Sequence, residues 1–241
     1  MVSPASASGR RRGGPGRPRL VPERLAGTPR EQILDAAARL FSSKGYAATS
    51  TREIAEAVGI RQASLYYHFA GKGEILSELL CQTVRPTVDS VAQIESLTDD
   101  PGVALYLVAS TDVRTLATAP YNIGLLHLAP DVAQVEGCDG FTAARDELAV
   151  TYARLAEPIT SPDVLGSVGP ARLGEKLVHT VEEVIGCRNA GRRIGVDEAV
   201  WIASSCLRLC GVDSARVELV VKTAATLLDR ADAGAGPAGR Q

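Results

Sequence analysis

The sequence predicts an all-α protein: an N-terminal three-helix helix-turn-helix domain followed by a larger helical body. Three observations predict it. Apolar residues recur at helical spacing over most of the 241-residue chain. No apolar–polar alternation persists long enough to build a sheet, and there is no internal repeat. Charge is also divided unevenly. Residues 1–72 hold twelve Lys/Arg and five Asp/Glu, residues 73–241 fourteen and twenty-three, so a +7 end sits on a −9 body within a net charge of −2. Such an asymmetry is an electrostatic footprint for nucleic acid, not for a membrane surface.

Residues 1–27 are rich in Ser, Gly, Pro and Arg and have no periodicity, so they are expected to form a disordered basic arm. Gly16-Arg17-Pro18-Arg19 resembles the core of an AT-hook, although Pro15 stands where that pattern has arginine. Arginines seek the enhanced negative potential of narrow minor grooves. The arm is read here as a solvated tail that strengthens DNA binding without selecting sequence.

The first helix opens at Thr28-Pro29-Arg30-Glu31, a capping box with proline at the first helical position. Ile33, Leu34, Ala37, Leu40 and Phe41 form its stripe, and Lys44-Gly45 closes it. Ser50 or Thr51 caps the second helix, in which Ile54, Ala55 and Val58 face inward. Gly59 supplies the left-handed residue of the turn. The third helix is expected over Arg61 to Phe69. Leu65 and Phe69 face in, while Gln62, Ser64, Tyr66 and His68 point elsewhere. So short and polar a helix needs the other two as a platform.

These residues resemble the TetR family of transcriptional regulators. The resemblance runs from Arg30 to Leu80 and rests on three strings: Phe41-x-x-x-Gly45-Tyr46, Thr51-Arg52-Glu53-Ile54-Ala55-x-x-x-Gly59, and Leu65-Tyr66-Tyr67-His68-Phe69-x-x-Lys72. It implies an all-helical homodimer that binds a double-stranded DNA operator through residues 28–72. Residues 73–232 would then be a C-terminal helical ligand-binding and dimerisation domain. The implied activity is repression, relieved by a small-molecule effector. An activator, or a DNA-binding protein of the same fold that needs no ligand, is the alternative. Carried over position by position, Thr51, Tyr66 and Lys72 contact phosphates, and Arg52 touches backbone or a base. Gln62, Ala63 and Ser64 face base edges, where Gln reads adenine and the Ala methyl meets thymine. His68 sits near a phosphate. Tyr67 packs or touches the backbone, and Arg61 reaches guanine or a phosphate.

Beyond Lys72 a long helix is expected over Gly73 to Ser96, kinked at Pro86. Further helices are expected at Pro101–Thr118, Ala119–Leu128, Gly140–Ala156, Pro170–Asn189, Val196–Cys210 and Asp213–Asp232. Pro158, Pro162, Gly166 and Gly169 punctuate a gap, and residues 233–241 read as a disordered tail. Val196–Cys210 is apolar around well over half its circumference, which calls for cover on both sides. A second copy of the chain supplies that cover through a four-helix interface. Asp112 lies on the apolar face of its helix, where a carboxylate needs a partner or a path to solvent. Asn122 and His127 sit among apolar residues, and Glu182 flanks an apolar stripe. These four are the candidate ligand-binding residues of an apolar pocket.

Other classes find no support. There is no P-loop, Gly-x-Gly-x-x-Gly after a strand, Gly-x-Ser-x-Gly or His-Glu-x-x-His, so no enzyme and no cofactor is expected. The five cysteines suit reduced thiols in a cytoplasm. Cys206 and Cys210 are read as small buried residues, not metal ligands, because no further ligand stands at zinc-site spacing. No run of about 18 apolar residues marks a membrane span. The N-terminal arginines precede no apolar stretch, so no secretory signal is read there.

Overall fold

The computed structural model describes residues 27–129 and 138–234 together with Val132 and Val135, the side chains of residues 231–234 excepted. The AT-hook-like segment and most of the N-terminal arm lie outside the described residues, as does the tail beyond Gly234. Among the described residues the secondary structure is helical throughout.

The head is built as its capping signals dictate. Helix α1 (Pro29–Lys44) starts from a reciprocal capping box of Thr28 and Glu31 and ends at Gly45. Helix α2 (Thr51–Val58) is capped by Ser50, not Thr51, in a second box with Glu53. Gly59 ends it at φ 79°, ψ 23°, the left-handed conformation that glycine adopts without a Cβ clash. Helix α3 (Gln62–His68) begins one residue later than expected, because Arg61 is its extended N-cap.

Helix α4 (Lys72–Cys81) carries the chain out of the head, and here the single kinked helix expected over Gly73 to Ser96 is corrected. The chain breaks at residues 82–84 and restarts as α5 (Arg85–Leu97). Pro86 has no N–H to give the Gln82 carbonyl, and its ring would clash with it, so it serves better in a new first turn than mid-helix. The helix expected over Ala119–Leu128 shrinks to α7 (Gly124–His127). Pro120 biases Ala119 to the extended conformation it shows, φ −52° and ψ 133°. The gap expected around Pro162 contains a helix, α9 (Pro162–Val168), capped by the Ser161 side chain. Its proline and glycine are start and stop signals rather than loop punctuation.

The body is organised around α6 (Pro101–Thr118), which is buried along most of its length. Helices α5, α8 (Asp139–Ala156), α10 (Pro170–Asn189), α11 (Val196–Leu209) and α12 (Ser214–Gly234) pack against it. Helices α8 and α10 pack closely, since a Cβ on Gly174 would meet the Ala149 carbonyl oxygen at 2.2 Å. Cys206 and Cys210 are fully buried, and burial raises the pKa of both thiols, that of Cys206 strongly. No helix among the described residues is long and apolar enough to cross a membrane.

Candidate nucleic-acid interface and ligand pocket

Helix α3 stands on two buried anchors and exposes most of its other side chains. Leu65 and Phe69 are sealed in the head, while Arg61, Gln62, Ala63, Ser64, Tyr66 and Tyr67 are exposed. Tyr67 is 88% exposed. Gln62 Nε2 donates to Thr51 Oγ1 at 2.9 Å, and Thr51 Oγ1 lies 3.2 Å from Tyr66 Oη. This chain of polar groups ties the start of α2 to the front of α3 and sets all three side chains on one face. Exposed Arg52 pairs with Glu56 one turn on, at 2.9 Å.

Two of the proposed contact residues also serve the head itself. Lys72 Nζ donates to the carbonyls of Tyr46 and Thr49, each at 2.8 Å, and lies 4.2 Å from the centroid of the Tyr46 ring. It therefore fastens the α1–α2 connection to α4, a role its spacing in the sequence did not disclose. His68 is half-buried; its carbonyl accepts from Arg30 Nη1 at 3.1 Å, and its ring meets Tyr67 edge-on. Arg30 also pairs with Glu78 and lies over the Phe69 ring, so it ties α1, α3 and α4 together.

In the body, three of the four candidate ligand residues meet. Asp112, His127 and Glu182 line one small cavity of about 20 Å³, among Leu116, Phe141 and Ile185. Asp112 is 3% exposed and accepts from Thr87 Oγ1 at 3.2 Å and from Tyr152 Oη at 3.1 Å. Burial pushes its carboxyl up to about 7, against the pull of those two hydroxyls. Glu182 accepts two bonds from Arg145, both 3.0 Å. His127 Nδ1 sits 2.6 Å from the Gly124 carbonyl, an acceptor, so Nδ1 carries the proton. Its Nε2 faces Glu182 at 3.6 Å. Burial lowers the imidazole pKa, with the Glu182 charge acting against it.

Asn122 stands apart from this cavity. Its Nδ2 donates to the Ile185 carbonyl at 2.9 Å and so ties the α6–α7 connection to α10. Sequence reasoning missed Arg145, Thr87 and Tyr152. Arg145 had the same signal as Asp112, a charge on an apolar stripe, here formed by Phe141, Leu148 and Tyr152. A volume of about 20 Å³ holds roughly one water, so the space is largely filled by its own polar groups.

A second cavity, about 530 Å³, opens between head and body. Helix α1 forms one wall, the end of α6 and Tyr121 form the other, and Leu79, Gln82 and Pro86 lie at the α4–α5 break.

Residues 33–79 match the family model described as bacterial regulatory proteins, tetR family. The transcriptional repressor KstR2 of Mycobacterium tuberculosis is 44% identical over 61 residues, which are 24% of this chain and 30% of KstR2. The shared sequence thus spans under a third of that curated relative. The crystal structure of Mycobacterium smegmatis AmtR superimposes with a TM-score of 0.68 at 33% identity, covering 84% of this chain and 96% of that one. AibR, solved in complex with isovaleryl coenzyme A and operator DNA, has the same fold: TM-score 0.57, 17% identity, 74% of this chain and 95% of AibR.

Proposed function

The chain belongs to the TetR family of bacterial transcriptional regulators, and on that premise we propose that it is a homodimeric repressor which leaves a palindromic operator when a small molecule enters its body. The observation that carries the reading is α3: a helix held by Leu65 and Phe69 whose every other described side chain faces outward or sits at the rim. Such a helix has no use inside its own chain. Its length suits the major groove, where Gln62, Ala63 and Ser64 meet base edges. Thr51 and Tyr66, already paired, take phosphates on either side. Arg52, Arg61, Tyr67, His68 and Lys72 frame them, Lys72 through the loop it fastens as well as through its charge.

One such helix reads few base pairs, so two copies are needed. Trp201 and Leu209 on α11 and Leu219 on α12 are exposed apolar residues of the body, and pairing covers them. The effector site is the cavity of Asp112, His127 and Glu182, with Arg145 added. It opens as the ligand enters, and the ligand replaces some of the internal bonds. An effector changes operator affinity only through its difference in affinity for the two states. AibR's pairing of an acyl-coenzyme A with operator DNA supports that logic for the fold.

Selection from random duplexes followed by footprinting tests the DNA reading. An inverted repeat with half-sites about one helical turn apart (~34 Å) is expected. Equal retention of all sequences sinks it. Light scattering should give twice the 25.3 kDa chain mass, and Trp201→Asp should lower it toward one chain.

A further inference from the structure

We infer that the cleft between head and body is a second ligand site, built for a small organic cation with an apolar body. It is distinct from the small cavity around Asp112 and goes beyond the repressor reading. Size comes first. The Asp112 cavity has room for about 20 Å³ and the cleft for about 530 Å³. Small-molecule sites fall in the range of roughly 300–1,000 Å³. The cleft therefore admits a ligand without any opening of the core.

Its chemistry is one-sided. Leu34, Leu79, Pro86 and Ile123 supply apolar wall. The charged residues lining it are Glu31 and Asp35, one helical turn apart on α1, and no Lys, Arg or His lines it among the described residues. Arg39 is near enough to act on the Tyr121 hydroxyl but is not part of the lining. Thr115, Thr118 and Tyr121 place hydroxyls on the opposite wall. An anion would meet two carboxylates with no countercharge in the wall. An ammonium would meet complementary charge beside apolar surface, the arrangement that selects an amphipathic cation.

The position gives such a ligand mechanical purchase. Tyr121 Oη donates to Asp35 Oδ1 at 3.2 Å across the cleft, a direct bond from body to head. A cation at Asp35 competes for that carboxylate. Its apolar part would wedge between α1 and the end of α6, beside the α4–α5 break. Occupancy would thus act on the angle between head and body without passing through the buried cluster.

Isothermal titration of the full chain at pH 7 with three probes of one shape tests this: 4-tert-butylbenzylamine (cationic), 4-tert-butylbenzyl alcohol (neutral) and 4-tert-butylbenzoate (anionic). The amine should bind about tenfold or more tighter than the alcohol, with the benzoate weakest. Asp35→Asn, which keeps an acceptor for Tyr121, should erase most of the amine's advantage. Thr118→Trp fills the cleft from an exposed position and should weaken the amine about tenfold or more. Asp112→Asn should leave amine binding unchanged, which separates the cleft from the inner cavity. No DNA enters these titrations, so their failure and failure of the repressor reading are separate events. No measurable amine binding overturns the assignment. So does benzoate binding as tightly as the amine, or amine binding that survives Thr118→Trp with a normal circular dichroism spectrum.

Discussion

The head and the body use polar side chains in opposite ways. In the head, Gln62, Ser64, Tyr66 and Tyr67 stand on the outside of a helix that spends only Leu65 and Phe69 on packing. In the body, Asp112, Glu182, Arg145 and Tyr152 are turned inward and bonded to one another's neighbours or to each other. An exposed polar residue is cheap to place and stays accessible to an outside partner. A buried one must be satisfied within the chain, so its first effect is on stability. Substitutions in the head should therefore change binding with little effect on folding, and those in the body the reverse.

The most severe break of that contrast is expected at Glu182. Glu182→Ala leaves the Arg145 guanidinium without its two-bond partner in a site only 21% exposed. A loss of about 3 kcal/mol is expected, seen as a lower denaturation midpoint at unchanged m-value. A stability equal to the parent's would mean that the pair is not a structural element.

Asp112 sharpens the contrast through pH. Its carboxyl is raised from 3.8 to about 7, so the folded state holds a proton that the unfolded chain has released over that interval. The stability it contributes is fully present below about pH 4 and is lost as pH rises through about 7. The ligand-free parent should lose on the order of 4 kcal/mol relative to Asp112→Asn between pH 4 and pH 8. Parallel melting curves for the two across that range would show that Asp112 is ionised throughout.

In the head, Gln62→Ala should cost about 1–3 kcal/mol at the cognate operator and relax preference at one base position, with an unchanged melting temperature. Tyr66→Phe should weaken all sequences alike, because phosphates carry no base identity. The smallest effect is local: Ser50→Ala removes the Glu53 N–H acceptor at the start of α2 and should cost about 1 kcal/mol of stability. Lys72→Ala crosses the divide. It should lower both DNA affinity and melting temperature, since it frees the Tyr46 and Thr49 carbonyls from their donor.

What the sequence by itself determined is local. Helix starts at Thr28 and at Ser50 or Thr51, the stop at Gly59 and the outward face of α3 follow from capping chemistry, backbone freedom and a 3.6-residue period, all of which act within a few residues. The presence of Asp112, His127 and Glu182 in one cavity was foreshadowed only as polar residues on apolar stripes. Their partners Thr87, Tyr152 and Arg145 lie 25, 40 and 37 residues away along the chain, on helices whose packing order no local rule supplies. The same limit explains Asn122, which has the sequence pattern of a pocket residue and a place on the Ile185 carbonyl, and the break before Pro86, read as a kink in one helix. The cleft between α1 and α6 had no sequence signature at all. Its walls come from helices some 80 residues apart, and only the docking of head on body decides the distance between them.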